Sequence, residues 1–197
     1  MADDPRLAVA ILAAGSSQRF GDADKLTADF RGEMLGLRVA RELPLDVFDL
    51  AFVVISGNSH PCAADWRNAG LDVLANSRAE DGMGTSVALA AARANDCGMD
   101  ALIIVLADMP MVPASHYEEL ANGARALGSH GIVVSSDGRN RSPPACFGRN
   151  HFEKLAQLGG DVGARAILSE GTVVTCPAEW LVDVDTPEAL TALRSLN

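Results

Sequence analysis

A short glycine-containing segment near the start of the chain carries residue types that bind phosphate. It reads Leu12-Ala-Ala-Gly-Ser-Ser-Gln-Arg-Phe-Gly21 and is followed by Lys25. Small residues directly after a strand let backbone N–H groups approach an anion closely. Arg19 can bind phosphate through two parallel hydrogen bonds, and Lys25 can supply a mobile positive charge. The segment predicts a phosphate site, with an ordinary glycine turn and two solvated basic side chains as the alternative.

Two acidic motifs have the chemistry of a divalent-cation site. Asp108 lies in Leu106-Ala-Asp-Met-Pro110, at the end of the most apolar run of the chain. Asp183 and Asp185 alternate in Val182-Asp-Val-Asp-Thr-Pro-Glu188, so on a strand they would point the same way. Mg²⁺ prefers one or two carboxylates with phosphate oxygens and water. A cap on the following turn for Asp108, and a place before a capped helix for Asp185, are the alternatives.

Later segments are candidates for substrate contacts. Gly82-Met-Gly-Thr-Ser86 opens an alanine-rich helix, and its glycines and hydroxyls suit the close approach of a planar base or a phosphate. Helix capping by Thr85 or Ser86 is the alternative. The segments Pro143-Pro-Ala-Cys-Phe147 and Gly160-Asp-Val-Gly-Ala-Arg165 by themselves indicate a bend and a capped helix.

The elements that must position these residues alternate between strands and helices. Apolar runs predict strands at residues 7–13, 50–56, 71–75, 101–107 and 131–135, and helical patterns cover about 34–43, 60–69, 85–95 and 115–127. Such alternation predicts a parallel sheet with helices on both faces. Ligands of these sheets bind beyond the carboxyl ends of the strands, which selects residues 14–25, 57–60, 76–86 and 108–111.

The pattern is looser after residue 137. Pro143 and Pro144 are expected to break the structure there, before a helix pair near 149–158 and 161–169. Short strands are predicted at 172–175 and 180–184. Thr186 as N-cap and Pro187 at the first helical position predict a C-terminal helix.

Composition excludes several classes of protein. The net charge of −10 argues against a general nucleic-acid binder, which needs basic patches. No apolar stretch reaches the roughly 20 residues of a membrane span, and the start lacks the basic opening of a signal peptide, so a cytoplasmic protein is expected. The four cysteines and four histidines have no zinc-site spacing, which predicts idle thiols and structural or exposed histidines.

The motifs resemble those of a known family. Leu12-Ala-Ala-Gly-x-Ser-x-Arg-Phe-Gly with Lys25 is similar to the signature loop of the MobA-like nucleotidyltransferases, which wraps the triphosphate. The Ala-Ala-Gly form at 13–15 is most similar to the molybdenum cofactor cytidylyltransferases, since guanylyl members usually carry Gly at the middle position. With the later motifs in the same order, the resemblance spans residues 7–190. It implies a three-layer α/β/α fold with a mostly parallel, Rossmann-like sheet of the nucleotide-diphospho-sugar transferase type.

The resemblance also implies a single domain and a set of site residues. The nucleotide-binding part would cover about residues 1–112 and the acceptor side about 113–197. Asp108 and Asp185 would hold Mg²⁺ with Asp183 in support, and Asp161 and Arg165 would face the acceptor. Arg19, Lys25 and Asp108 would be catalytic. The nucleotide would contact Leu12, Ala13, Ala14, Gly15, Ser16, Arg19, Lys25, Gly84 and Ser86.

The implied reaction is attack of an acceptor phosphate on the α-phosphate of a nucleoside triphosphate, with release of pyrophosphate. CTP is the favoured nucleotide, molybdopterin the favoured acceptor, and a molybdenum enzyme a downstream partner. The alternatives are a cytidylyl- or other nucleotidyltransferase acting on a sugar or polyol phosphate, and a non-catalytic nucleotide-binding accessory protein of a molybdenum hydroxylase. One departure from the family is visible: Glu33 and Met34 stand where Lys and Pro are usual.

Overall fold

The computed structural model describes residues 4–15, 20, 24–160 and 165–195. The strands are β1 (Leu7–Ala13), β2 (Asp29–Phe30), β3 (Glu33–Met34), β4 (Leu50–Ser56), β5 (Asp72–Asn76), β6 (Ala101–Leu106), β7 (Ile132–Ser136), β8 (Arg141–Gly148) and β9 (Thr172–Thr175). The α-helices are α1 (Leu35–Glu42), α2 (Ala63–Asn68), α3 (Met83–Asp96), α4 (Ala114–Leu127), α5 (Phe152–Ala156), α6 (Arg165–Leu168) and α7 (Pro187–Arg194).

Seven strands form one sheet in the order β5-β4-β1-β6-β8-β7-β9. β5, β4, β1 and β6 run parallel, and so do β7 and β9. β8 is antiparallel to both of its neighbours, β6 and β7. The predicted mostly parallel sheet is therefore confirmed, and the carboxyl ends of β1, β4, β5 and β6 share one edge.

The continuous apolar sequence of β1 reflects burial on both of its faces. Leu7, Val9 and Ile11 pack into one apolar cluster, while Ala8 and Ala10 pack into a second. The first cluster contains residues of α1, α2, α4 and α7, and the second contains residues of α3, α5 and α6. Successive side chains of β1 point to opposite faces of the sheet, so this strand packs against the helices of both outer layers.

Two expectations for the second half of the chain are wrong. Pro143 and Pro144 do not end a segment but lie inside β8, where the pairing with β7 passes from Ala145 directly to Ser142 at an irregularity. Proline cannot donate to the ladder, and this skip in register accommodates the pair. The strand predicted at residues 180–184 is instead a 3-10 turn, Ala178–Leu181, followed by residues without strand pairing.

The C-terminal helix is confirmed with its predicted start. The Thr186 hydroxyl accepts a hydrogen bond from Ala189 N at 3.2 Å, and Pro187 is the first helical residue. Among the residues described, no helix has the length and apolar character needed to cross a bilayer.

Candidate active site

Three side chains that are distant in sequence meet beyond the carboxyl ends of β1 and β6. The Lys25 ammonium lies 2.5 Å from Asp108 Oδ2 and 3.0 Å from Asp185 Oδ1. The Lys25 and Asp108 side chains are only 11% and 17% exposed, whereas that of Asp185 is 38% exposed. The expected convergence of Lys25, Asp108 and Asp185 is therefore present, with one face of the cluster open to solvent.

Backbone hydrogen bonds hold the two acids together. Asp108 follows β6, where Ala107 N donates to Leu12 O at 3.0 Å and ties the end of β6 to the end of β1. Val184 N donates to Asp108 O at 2.9 Å, which brings the segment before α7 against the turn after β6. Val184 itself is fully buried. The N-cap of α7 then fixes the chain directly after Asp185.

Lys25 reaches the acids from a 3-10 turn, Lys25–Thr27. Asp24 is the N-cap of this turn, and its side chain accepts a hydrogen bond from Leu26 N at 3.0 Å. Leu26 is buried in the apolar cluster on the α1 side of the sheet. Packing on one side of Lys25 and capping on the other set the direction of its side chain.

Burial and the neighbouring charges shift the pKa values of Lys25 and Asp108. Burial by itself would lower the pKa of Lys25, but the carboxylates of Asp108 and Asp185 outweigh that effect and raise it. Burial raises the pKa of Asp108, Lys25 opposes this rise, and the negative charge of Asp183 adds to it. An ionised Asp108 thus depends on a cation beside it, and in this structure Lys25 is that cation.

The same pocket contains two carboxylates of the kind that hold a divalent cation. Asp108 Oδ1 is buried and has no hydrogen-bond partner, so one oxygen of this carboxylate is available to a ligand. Within the described part of the chain, no three His, Cys, Asp or Glu side chains cluster as a metal site. A divalent ion held by Asp108 and Asp185 would therefore complete its shell with phosphate oxygens and water, which is the arrangement Mg²⁺ favours.

The predicted phosphate loop is described only at its start. Leu12 and Ala13 are buried at the end of β1, so they can offer only backbone atoms to a ligand. Ala14 is half-buried, and Gly15 is exposed, with no atom of the described residues within 4 Å of the place a Cβ would take. Open space at Gly15 suits the close approach of a phosphate. Ser16 and Arg19 lie outside the described residues, so their roles stay predictions.

The structure places Gly84 and Ser86 inside the protein. Gly84 N donates to Gly160 O at 3.0 Å, and a Cβ at Gly84 would lie 2.9 Å from that oxygen. Ser86 is 3% exposed, and its hydroxyl accepts a hydrogen bond from Asn76 Nδ2 at 2.9 Å. Contact of either residue with a nucleobase stays a prediction, while their contacts with the protein are established. Neither hydroxyl of the motif caps α3, whose N-cap is Gly82.

The acceptor-side residues are only partly described. Arg165 is the first residue of α6, and Asp161 lies outside the described residues. Phe147 is a core residue on the α3 side of the sheet. The assignment of Asp161 and Arg165 to the acceptor stays a prediction.

The departure at Glu33 and Met34 has a local structural explanation. Glu33 Oε2 lies 3.0 Å from Arg41 Nη2, and Glu33 Oε1 lies 3.7 Å from Arg38 Nη1. Met34 is the N-cap residue of α1, and its sulfur lies 3.9 Å from Cys62 Sγ. Glu33 therefore ties the β2–β3 hairpin to α1, which a lysine between two arginines could not do.

Two residues near the site were not singled out from the sequence. Asn76 Nδ2 also donates to Thr85 Oγ1 at 2.9 Å, so Asn76 joins the end of β5 to the start of α3. His60 Nε2 lies 2.8 Å from Asp24 Oδ2, next to Lys25. Both residues lie in segments 57–60 and 76–86, which were selected because ligands bind beyond the carboxyl ends of parallel strands. That position was the sequence signal that could have identified them. The cysteines are confirmed as free thiols, with Cys97 half-buried and the others buried.

Several known proteins are similar to this chain over nearly its whole length. "Purine catabolism protein PucB" of Bacillus subtilis (strain 168) is 30% identical over 210 residues, covering 96% of this chain and 97% of PucB. Rv0371c of Mycobacterium tuberculosis H37Rv is 26% identical, covers 98% of both chains and superposes with a TM-score of 0.76. A complex of Rv0371c with manganese superposes with a TM-score of 0.72 at 24% identity, covering 97% of this chain and all of that one (100%).

The fold is shared with more distant proteins as well. Molybdopterin-guanine dinucleotide biosynthesis protein A of Archaeoglobus fulgidus has a TM-score of 0.64 at 16% identity, covering 95% of this chain and 96% of its own. That likeness concerns the fold alone, which is the expected nucleotide-diphospho-sugar transferase type. The sequence profile of the MobA-like NTP transferase domain matches residues 9–175. The chain belongs to the MobA-like NTP transferase family and is a nucleotidyltransferase.

Proposed function

We propose that this nucleotidyltransferase transfers CMP from CTP to the phosphate of molybdopterin, with Mg²⁺ as cofactor and pyrophosphate as the second product. The observation that carries the proposal is the contact of Lys25 with both Asp108 and Asp185 at the end of β1. The Ala-Ala-Gly sequence at 13–15 favours CTP over GTP. The choice of molybdopterin as acceptor follows from the resemblance of this loop and the later motifs to the molybdenum cofactor cytidylyltransferases.

The chain's own residues position the reacting groups. Backbone N–H groups at Ala14 and Gly15 donate to the triphosphate, and Arg19 and Lys25 neutralise its charge. The part of the chain up to about residue 112 binds the nucleotide, and the remainder, with Asp161 and Arg165, binds the acceptor. The acceptor phosphate oxygen attacks the α-phosphorus, and the bond to the leaving pyrophosphate breaks. No protein nucleophile takes part, so catalysis consists of positioning and charge neutralisation.

Mg²⁺ held by Asp108 and Asp185 would supply charge neutralisation and orientation at the α-phosphate. Lys25 contacts both of these acids in the structure, and its ammonium would neutralise phosphate charge beside a cation held there. Manganese in the Rv0371c complex supports divalent-metal dependence in this fold. A divalent cation at this place would neutralise the same two carboxylates that Lys25 contacts.

The test measures pyrophosphate release with each of the four nucleoside triphosphates, with and without molybdopterin, in the presence of Mg²⁺. The proposal expects release only when CTP and molybdopterin are both present. Release with GTP in preference to CTP would overturn the nucleotide assignment. Release with CTP and a polyol phosphate, but not with molybdopterin, would overturn the acceptor. Nucleotide binding without any release would identify a non-catalytic accessory protein.

A further inference from the structure

His60 lies in a rigid setting beside the turn that carries Lys25. It follows β4 at the carboxyl edge of the sheet, and its side chain is 5% exposed. The imidazole stacks on the Trp66 ring with 4.8 Å between centroids and 28° between planes. Trp66 is fully buried, and its indole N–H donates to Gly36 O at 2.9 Å. The position of the His60 ring is therefore set by the core beneath it.

The hydrogen bonds of His60 determine which nitrogen carries the proton. Cys62 N donates to Nδ1 at 3.1 Å, so Nδ1 is the acceptor and a neutral ring carries its hydrogen on Nε2. Nε2 lies 2.8 Å from Asp24 Oδ2, with its N–H direction off the line between the two atoms. The His60 N–H and the Asp24 carboxylate are therefore in close electrostatic contact, and the position of the imidazole ring is fixed by its stacking on Trp66.

Asp24 connects His60 to Lys25. While Oδ2 faces His60, Oδ1 caps the turn through Leu26 N, and the Asp24 carbonyl accepts from Thr27 Oγ1 at 2.7 Å. A second contact runs in parallel, because Cys62 Sγ lies 3.8 Å from Leu26 O. The segment 60–62 therefore holds the turn 24–27 at two points, and Lys25 extends from that turn to the two acids.

We propose that His60 is a positioning residue for Lys25, because it orients the Asp24 cap so that the ammonium lies on Asp108 and Asp185. In the absence of His60 the turn loses one of the two contacts that the segment 60–62 makes with it, and Lys25 spends more time in solvent. The effect on nucleotide binding rests on the proposed function. The effect on Lys25 itself does not, so the two can be tested separately.

Three variants separate the contacts of His60. His60→Asn keeps an acceptor for Cys62 N near the place of Nδ1 but has no group that reaches Asp24. His60→Phe keeps the stack on Trp66 and removes both nitrogens. His60→Gln carries an amide N–H about as far from the backbone as Nε2, so it should rescue the contact with Asp24. Circular dichroism and thermal melts establish whether each variant is folded. If His60→Asn does not fold, His60→Phe alone tests the loss of the contact with Asp24.

The direct readout is the accessibility of the Lys25 amine. The chain contains two lysines, Lys25 and the exposed Lys154 on α5, so each labelled protein has its own internal reference. The ratio of Lys25 to Lys154 modification by an amine reagent, measured by mass spectrometry, should rise about tenfold in His60→Asn and His60→Phe. The ratio in His60→Gln should stay within about twofold of wild type. An unchanged ratio in the first two variants would overturn the proposal.

A double-mutant cycle identifies the route of the effect. Asp24→Asn keeps the cap acceptor and removes the charge that faces His60. If His60 acts through Asp24, the double variant is labelled no faster than the more affected single variant, whereas additive effects would contradict this route. In the transfer assay the His60→Asn variant should raise KM for CTP about 10-fold with a smaller change in kcat. A wild type without transfer activity would refute the proposed function and leave the labelling result standing.

Discussion

Lys25 and Asp185 are separated by 160 positions in the chain, yet the Lys25 ammonium lies 3.0 Å from Asp185 Oδ1. The same ammonium lies 2.5 Å from Asp108 Oδ2, so one cation serves two carboxylates. Neither acid belongs to a regular strand or helix. Their meeting depends on the Val184 to Asp108 backbone hydrogen bond and on the turn that begins with Lys25.

Replacing Lys25 by an apolar residue of similar length should destabilise the protein. In Lys25→Met the buried Asp108 loses its cation beside a second acid, and the free energy of unfolding should fall by about 1–3 kcal/mol. The expected loss is below that of a fully buried pair because the Asp185 side chain is 38% exposed. Urea denaturation with and without millimolar Mn²⁺ measures the effect. Mn²⁺ should restore most of the lost stability, since it binds only the folded site.

The matched control is Lys154→Met, which removes the other lysine from an exposed position on α5. Its free energy of unfolding should stay within about 0.5 kcal/mol of wild type, and Mn²⁺ should stabilise it no more than it stabilises the wild type. Equal stability of the Lys25 and Lys154 variants would contradict the role given to Lys25.

The sequence predicted the first half of the fold closely because its strands are buried on both faces. The runs at 7–13 and 50–56 match β1 and β4 residue for residue. β8 was missed because Pro143 and Pro144 are poor strand residues, and only pairing with β6 and β7 on both sides overrides that preference. The strand expected at 180–184 pairs with no strand in the described part of the chain, and only Val184 of its apolar residues is fully buried.

The part of the candidate site that lies at the carboxyl ends of the strands was predictable, because ligands of parallel sheets bind there. Asp108 follows β6 directly, and Lys25 belongs to the connection after β1, so their proximity follows from the topology. The 2.8 Å contact of His60 with Asp24 was not predictable, because no periodic pattern places a histidine side chain within a loop. The burial of Ser86 could not be predicted from the sequence either, because it depends on a hydrogen bond from Asn76 in another element.

A side chain at Gly84 should disturb the acceptor side of the protein. In Gly84→Ala the new Cβ would lie 2.9 Å from Gly160 O and 3.0 Å from Gly159 backbone atoms, so the 159–160 turn must move. We expect a loss of about 1–3 kcal/mol in stability and a rise of about 10-fold in KM for the acceptor, and KM for CTP should rise as well because Gly84 is a predicted nucleotide contact. Steady-state kinetics with each substrate varied in turn measure this.

Met83→Ala is the control for Gly84→Ala, because Met83 is 51% exposed at the adjacent position. Both KM values and the stability should stay near wild type in this variant. If Gly84→Ala lowers stability without any change in the acceptor KM, the contact with Gly160 serves packing alone.

The buried His116 should make stability depend on pH. Its Nε2 lies 2.7 Å from Ser135 Oγ, whose own hydroxyl donates to Pro144 O at 2.6 Å, and its Nδ1 is buried without a hydrogen-bond partner. Burial lowers the pKa of His116, against a small opposing effect of Glu119. The unfolded chain therefore binds the proton more tightly, so the contribution of His116 is present above the unfolded pKa and is lost as pH falls through the lower folded pKa.

The comparison uses His116→Gln, whose amide can donate to Ser135 and does not titrate. Between about pH 7.5 and about pH 5, the free energy of unfolding from urea titrations should fall more steeply in wild type than in the variant. Parallel pH profiles for the two proteins would show that His116 is not the group responsible.

The most direct test of the shared pocket is the affinity for Mn²⁺ in the presence of a non-hydrolysable CTP analogue, followed by the electron paramagnetic resonance signal of free Mn²⁺. Asp108→Asn and Asp185→Asn should each weaken Mn²⁺ binding by about tenfold or more and reduce turnover by about 10²–10³-fold, while both proteins stay folded. Asp183→Asn, which removes an exposed neighbouring acid, should change the affinity by about twofold or less. Wild-type Mn²⁺ affinity in both the Asp108 and Asp185 variants would contradict the account.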